Sequence, residues 1–200
     1  MSESAWSNPA YPVKAALEAP SKVARWRVIG NPILAIPHVV VLYVLQIVAN
    51  LLALVAWFVV LFTAQMPPGI GTFIAAIHRY QWRVASYALF LREPYPAFSI
   101  PNGYPDPGGD PAWLQIDPPV KFSRLAVFFR VILVIPLALE GFILGIALDV
   151  VMFIAFFAVL ITGRWPVGLR KFVVDVLFWW VRVNAWYQLL ADPYPPFSIG

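Results

Sequence analysis

The sequence predicts an all-α integral membrane protein made of two tandem copies of one helical unit. Residues 12–100 align with residues 111–199 without a gap, at a constant shift of 99 positions. Hydrophobic residues make up 61% of the chain and charged residues only 12%, whereas a soluble domain is about half apolar and about a quarter charged. A gapless repeat with this composition indicates that both copies meet the membrane in the same way.

The repeat divides the chain into four parts. Residues 1–11 form an N-terminal tail, residues 12–100 the first membrane unit, residues 101–110 a linker rich in Pro, Gly and Asp, and residues 111–200 the second unit. The chain has no cysteine, which excludes disulfides and thiolate metal sites. Its net charge of +4 comes from Lys and Arg beside the apolar runs, and no basic stripe with interleaved aromatics predicts a nucleic-acid partner.

Each copy opens with a short segment that is expected to be extended. Residues 113–116 (Trp-Leu-Gln-Ile) and residues 13–17 (Val-Lys-Ala-Ala-Leu) are candidates for strands. If residues 96–100 are also extended, the turn-rich linker allows them to pair with residues 113–117. These Pro-rich flanking segments therefore predict a small sheet outside the membrane.

Residues 33–62 and 131–161 are long apolar runs without Lys or Arg. Each exceeds the ~20 residues that one helix needs to span the hydrocarbon core. One long tilted helix is one interpretation, and a long helix followed by a return through residues 70–91 is another. We favour a hairpin that turns at Asn50 and at the aligned Asp149, because it keeps nearly all Lys and Arg on one side of the membrane. The hairpins predict about four transmembrane segments.

A second, aromatic-rich helix follows each run, at residues 70–91 and 169–190. Trp, Tyr and Arg on an amphipathic helix are typical of the headgroup region of a bilayer. The two helices are therefore expected to lie at the interface, with their arginines snorkelling to phosphates or paired locally. The expected headgroup contacts are Arg83, Arg182, Trp82 and Trp186.

Polar side chains inside the apolar runs are candidate functional groups, since ionisable groups at membrane depth are costly. For Asn50 and Asp149 the favoured interpretation is a hairpin turn. His38 follows a proline and is expected to bond backbone carbonyls that the proline leaves free. Glu140 has no acidic counterpart in the first copy and is a candidate proton or cation site. The candidate intramembrane sites are thus His38, Asn50, Glu140 and Asp149.

Motifs of the common enzyme classes are missing from the sequence. It has no glycine-rich phosphate loop, no paired histidine motif and no nucleophile elbow, and its two histidines are His38 and His78. No catalytic, cofactor-binding or metal-binding residue is therefore expected, and no cofactor. Asp106 and Asp110 in the linker are interpreted as solvated turn residues rather than as metal ligands.

Four spaced motifs carry a resemblance to a known family. Residues 34–38 read Leu-Ala-Ile-Pro-His, residues 162–168 Thr-Gly-Arg-Trp-Pro-Val-Gly, residues 83–87 Arg-Val-Ala-Ser-Tyr, and residues 192–197 Asp-Pro-Tyr-Pro-Pro-Phe. With these motifs the chain resembles the bacterial membrane-protein family named domain of unknown function 4389, present as two tandem copies. The second copy departs from the first motif at residues 134–137, and the first copy departs from the second motif at residues 63–65. The resemblance implies bacterial membrane residence but no assigned activity.

The sequence favours a non-enzymatic scaffold or accessory subunit of a larger membrane assembly. Its expected partners are the lipid bilayer and either another membrane protein or a second copy of the chain. Its expected location is the bacterial cytoplasmic (inner) membrane, which it would cross several times. The repeats and the intramembrane acids Glu140 and Asp149 leave a small transporter or channel as the alternative. A lipid-modifying enzyme is the least favoured, because Arg83 and Arg182 come with no nucleophile–base pair.

Overall fold

A computed structural model of the protein describes residues 4–7, 11–103, 105–117, 119 and 121–199. Each copy contributes one strand, one long helix and one shorter helix, and the N-terminal tail adds a further strand. In chain order the elements are β1 (Ser4–Ser7), β2 (Val13–Leu17), α1 (Arg27–Thr63), α2 (Pro68–Ala88), β3 (Ala112–Ile116), α3 (Arg124–Thr162) and α4 (Val167–Tyr187).

The long helices α1 and α3 are uninterrupted over 37 and 39 residues, so the predicted hairpins are wrong. Asn50 and Asp149 lie inside these helices and not at turns. The residues that follow both are apolar, without Gly or Pro, and a turn at either place would leave backbone groups unbonded in an apolar run. The helices end instead at Ala64 and Gly163, whose left-handed conformations close the last turn.

The shorter helices α2 and α4 lie near the predicted positions, but most of their side chains are buried inside the protein and are not free to contact lipid. α2 packs against both α1 and β3, and α4 packs against both α3 and β2. Most of α2 from Ile74 to Tyr87 is buried as a result, including Arg79 and Trp82. Within the residues described, α1 and α3 are the two helices long and apolar enough to cross a membrane, in place of the four predicted segments.

The two long helices run antiparallel to each other. The Val23 N–H donates to Gly163 O at 2.9 Å, which joins the start of α1 to the end of α3. The Phe122 N–H donates to Ala64 O at 2.9 Å, which joins the start of α3 to the end of α1. Residues at the two starts therefore lie at opposite ends of the helix pair.

The strands β1, β2 and β3 form one antiparallel sheet in that order, and the strands predicted at residues 13–17 and 113–116 are confirmed. β2 and β3 come from equivalent positions of the two copies. Ala15 pairs with Leu114 at the centre of their ladder. The sheet therefore joins the two copies.

Residues 96–100 form no strand, so their predicted pairing with residues 113–117 is wrong. Prolines flank and begin this segment, and a proline cannot donate a ladder hydrogen bond. The segment lies against α1 instead, where the Phe98 ring stacks on His38 with the centroids 3.9 Å apart.

The elements are stacked along a pseudo-two-fold axis. The axis passes through the centre of the β2–β3 ladder and between the antiparallel α1 and α3. The sheet packs against α2 and α4, and each of these helices also packs against the long helix of its own copy. α2 and α4 therefore separate the sheet on one side of the molecule from α1 and α3 on the other.

Candidate functional site

The outer surface of α1 and α3 is apolar along almost its whole length, and the exposed Asn50 and Asp149 are the polar residues near its middle. Large apolar side chains are exposed along residues 29–62 of α1 and along residues 125–161 of α3. At the centre, Tyr43 is 70% exposed and Phe142, the aligned residue, is 68% exposed. We call this surface the apolar face. Monomeric soluble proteins rarely expose contiguous apolar patches larger than a few hundred Å², so a surface of this length indicates an apolar partner.

A chain of polar side chains connects α2, the residue that caps the end of α4, and the exposed Asn50 of α1. His78 Nε2 lies 2.9 Å from Gln188 Oε1, and Gln188 Nε2 donates to Asn50 Oδ1 at 2.7 Å. Gln46 Nε2 donates to the same oxygen at 3.3 Å. Burial lowers the pKa of His78 to about 4, so the imidazole is neutral near pH 7 and Nε2 holds the proton that Gln188 accepts. Asn50 thus joins α4 to α1.

His38 lies in an aromatic environment formed by the first copy. Its Nδ1 is 2.5 Å from the Tyr80 hydroxyl oxygen, and its ring stacks on Phe98 with the centroids 3.9 Å apart. The expected hydrogen bond to a backbone carbonyl is therefore wrong, because the tyrosine hydroxyl takes its place. Leu137 and Trp179 stand at the aligned positions of the second copy, so this polar contact belongs to the first copy alone.

The two acids of α3 have different surroundings. Glu140 lies close enough to Arg182 for their charges to interact. Burial lowers the pKa of Arg182, and the charge of Glu140 is among those that oppose this shift. Asp149 lines an open apolar groove between α1 and α3, beside Phe90 and Phe153. The structure therefore does not bring Glu140 and Asp149 into one described site.

Acids of the linker and arginines of the first copy form a buried ionic cluster. Asp106 Oδ1 accepts from Arg83 Nη2 at 3.2 Å, and Asp106 Oδ2 lies 3.7 Å from Arg79 Nε. Arg92 binds Asp110 through both terminal nitrogens, at 2.5 and 3.1 Å. Burial lowers the pKa of Arg79, and the charge of Asp106 opposes the shift. The cluster holds the linker against α2.

The interpretation of Asp106 and Asp110 as solvated turn residues is therefore wrong. The side chain of Asp106 is fully buried and that of Asp110 is 16% exposed. Two backbone N–H groups also donate to Asp106, from Gly108 at 2.9 Å and from Leu114 at 3.1 Å. These bonds fold the linker around the carboxylate and fix it beside β3.

The four expected headgroup contacts lie in the interior, so that expectation is wrong. Trp82 and Trp186 are almost completely buried, and Arg83 and Arg182 are no more than 9% exposed. Arg182 Nη2 donates to Ser198 O, which holds the C-terminal segment against α4. In the interior, an arginine guanidinium donates hydrogen bonds to buried carbonyl and carboxylate oxygens, which would otherwise need water as a partner.

Further structural residues were not expected from the sequence. Arg79 Nη1 donates to Gly103 O at 2.7 Å, and its Nε donates to Leu114 O at 3.2 Å. Arg130 donates to Trp186 O, and its guanidinium lies 4.6 Å from the centroid of that indole ring. In the sequence, each of these residues is an arginine near apolar residues. That pattern is as typical of a contact with a lipid headgroup as of a buried structural role. Across the described residues, no group of three or more His, Asp or Glu side chains is placed to hold a metal ion.

These features define a class of protein. It has two tandem helical units that interlock about a pseudo-two-fold axis, share one small sheet and expose two helices of membrane-spanning length and composition. The family model "Domain of unknown function (DUF4389)" matches residues 25–99 and residues 124–198. The chain therefore belongs to the DUF4389 family and carries two copies of its domain, which confirms the resemblance. Comparisons with curated proteins and with solved structures gave no match.

Proposed function

We propose that the protein is a non-enzymatic membrane protein, a scaffold or accessory subunit of a larger assembly in the bacterial cytoplasmic membrane. The observation that carries this proposal is the contrast between an uncovered apolar surface and interior cations that are already paired within the chain. The apolar face is left uncovered along both long helices. The buried arginines of the first copy, in contrast, are occupied by carboxylates and carbonyls of the same chain.

A scaffold needs a rigid body more than it needs a reactive group. The linker is fixed to α2 through Asp106 and Asp110, and the C-terminal segment to α4 through Arg182. The two copies are joined through the β2–β3 ladder and through the ends of the long helices. This network supports a body that presents its surfaces to a partner without changing shape.

A small transporter or channel is the second candidate function. Glu140 beside Arg182, and the polar chain from His78 to Gln46, are the features that favour it. In a conduit, Glu140 would exchange a proton or cation. In a scaffold, its carboxylate only balances the nearby cation, and removal of its charge leaves the partner interface unchanged.

The test starts with tagged full-length protein purified in mild detergent from its native membranes. The scaffold proposal expects a second protein in fixed stoichiometry, retained by the variants Glu140→Gln and Asp149→Asn. Asp149→Asn is a matched control, because Asn50 already occupies the aligned position in the first copy. A chain purified alone that moves protons or cations in liposomes, and loses this flux in folded Glu140→Gln, would overturn the scaffold in favour of the conduit.

A further inference from the structure

The apolar face is too long for helices that cross a bilayer at ordinary angles. Exposed apolar side chains extend from Ile29 to Phe62 on α1 and from Leu125 to Ile161 on α3. At 1.5 Å per residue each stretch is about 50 Å long, whereas the hydrocarbon core is about 30 Å thick. To bury a stretch of this length, a crossing helix must tilt by about 50°, beyond the range of about 0–40° seen for transmembrane helices.

A crossing arrangement would also bring the linker to the depth of the hydrocarbon core. Asp106 binds Arg83, and Arg79 binds carbonyls of β3 and the linker, so both segments lie beside the middle of α2. The middle of α2 in turn lies beside the apolar run of α1, through Tyr80 and His38. Linker residues such as Asn102, Gly108 and Gly109 are exposed and irregular. Lipid-exposed irregular backbone does not occur within the hydrocarbon region.

Exposed cations flank the apolar face at both ends. Lys22, Arg25 and Arg164 lie at the start of α1, and Lys121 and Arg124 lie at the start of α3. Arg130 is the one Lys or Arg within these two stretches and it is buried, whereas the uncharged Asn50 and the acid Asp149 are exposed there. In an in-plane arrangement, the cations at both ends reach anionic headgroups while the apolar side chains between them enter the acyl region.

From these observations we infer that α1 and α3 lie in the plane of one leaflet and do not cross the bilayer. The apolar face is buried among the acyl chains, α2 and α4 lie above it, and the sheet and linker face water. The pseudo-two-fold axis then runs along the membrane normal, so both copies have the same orientation, as in parallel repeats. This inference rests on the proposed membrane location, but on neither the scaffold nor the conduit activity.

The starts of the two long helices give the sharpest test, because they lie at opposite ends of an antiparallel pair. Lys22→Cys and Lys121→Cys are prepared as separate single-cysteine variants of the full chain, which has no native cysteine. Each is reconstituted in sealed vesicles of phosphatidylethanolamine and phosphatidylglycerol and exposed to an impermeant thiol reagent. Gly108→Cys reports the side that carries the linker. The in-plane arrangement expects all three cysteines to react from the same side. Crossing helices would place Lys22→Cys and Lys121→Cys on opposite sides, and that result would overturn the inference.

Depth along the apolar face provides a second measurement. Nitroxide labels are attached to Tyr43→Cys and Phe142→Cys at the centre of the face, and to Phe62→Cys and Ile161→Cys near its ends. In-plane helices give one similar depth within a single leaflet at all four sites. Crossing helices give centre labels near the bilayer midplane and end labels near the headgroups.

Two further outcomes are distinguishable from these. Protein that leaves the vesicles in a carbonate wash would overturn both the membrane location and the in-plane inference. Labels at Tyr43 and Phe142 that are shielded from dissolved oxygen and broadened by a neighbouring label would mean that a second copy of the chain covers the face. That result would overturn the in-plane inference and leave the proposed function standing.

Discussion

Ala15 lies directly opposite Leu114 in the β2–β3 ladder, and the two residues occupy the same position in the two copies of the repeat. The hydrogen bonds on either side of this pair also join equivalent positions of the two copies. The Glu18 N–H donates to Pro111 O at 2.9 Å, and the aligned Asp117 N–H donates to Pro12 O at 2.8 Å. A two-fold rotation about an axis through this residue pair therefore exchanges the two copies. The backbone of each strand, β2 or β3, takes hydrogen-bond partners from the other copy.

The first prediction uses this symmetry at the ends of the long helices. Lys22 and Arg164 are bridge partners in an antiparallel pair, and Cα atoms in such a pair are about 4.5–5.5 Å apart, within the range of a disulfide. The double variant Lys22→Cys/Arg164→Cys is expected to form an intramolecular disulfide under mild oxidation. The symmetry extends the prediction to Gln65→Cys/Lys121→Cys, the aligned pair, and gel mobility with and without reductant measures both.

The control for this prediction is Lys22→Cys/Gln65→Cys, whose sites flank opposite ends of the 37-residue α1, more than about 50 Å apart. It is expected to form no intramolecular disulfide. Cross-linking of this control, or failure of both predicted pairs, would contradict the antiparallel packing of the long helices.

The second prediction concerns the buried carboxylate that organises the linker. Asp106→Asn removes the negative charge beside Arg83 and Arg79, which leaves buried guanidinium charge without compensation. We expect the free energy of unfolding to fall by about 3–5 kcal/mol, as when one partner of a buried pair is removed. Denaturant unfolding in detergent, followed by tryptophan fluorescence, measures the change.

The control is Glu93→Gln. The side chain of Glu93 is 51% exposed and lies 4.0 Å from Arg27, so we expect the free energy of unfolding to fall by at most about 1 kcal/mol. Equal losses in the two variants would count against a structural role for the cluster.

The third prediction is a dependence of stability on pH that originates at His78. Burial lowers its pKa from 6.5 to about 4, so the unfolded chain binds the proton first as the pH falls. The stability contribution of neutral His78 is therefore complete above about pH 6.5, decreases between about pH 6.5 and 4, and is lost below that range. At about 1.4 kcal/mol per pKa unit, the total loss is about 3 kcal/mol. Unfolding curves recorded across this range measure it.

The matched variant is His78→Leu, because Leu177 stands at the aligned position of the second copy. It removes the titrating group, so the decrease between about pH 6.5 and 4 should be strongly reduced. Its stability near pH 7 should also fall, since Gln188 Oε1 loses its donor. Adding Gln188→Leu, the residue type of the aligned Leu89, should restore part of that stability. An unchanged pH profile in His78→Leu would assign the dependence to other groups.

The sequence predicted elements well where the signal is local. The strand at residues 13–17, the Pro-containing turns before α2 and α4, and the approximate extents of those helices follow from composition and turn chemistry. The hairpins failed because Asn50 and Asp149 were judged by their own turn preference. Their neighbours are apolar residues that continue a helix, and a continuous helix satisfies every backbone group.

The partners of the arginines could not be predicted in the same way. Whether Arg83 meets a lipid phosphate or Asp106 depends on how the linker folds over α2, which is a tertiary relation between segments 23 residues apart in sequence. An amphipathic helix at an interface and an interior helix that binds a polar linker have the same pattern of residues. The sequence thus identified Arg83 and Arg182 as important positions but assigned them the wrong partner.

The last prediction tests the packing of α3 against α4, where Gly141 allows two indoles to approach. A Cβ atom at Gly141 would lie 3.0 Å from Trp180 Cη2 and 3.2 Å from Trp179 Cη2, closer than ordinary van der Waals contact. Trp179 is completely buried and has little room to move. Gly141→Ala is therefore expected to lower the free energy of unfolding by about 1–3 kcal/mol, the usual cost of overpacking.

The matched control is Gly145→Ala, one turn further along the same helix. A Cβ atom at Gly145 would have no neighbour within 4 Å, so this variant should be neutral or stabilising by up to about 1 kcal/mol. Because both variants make the same chemical change in one helix, their difference isolates the indole contact. Equal stabilities, with unchanged tryptophan fluorescence, would contradict the close packing of Trp179 and Trp180 on α3.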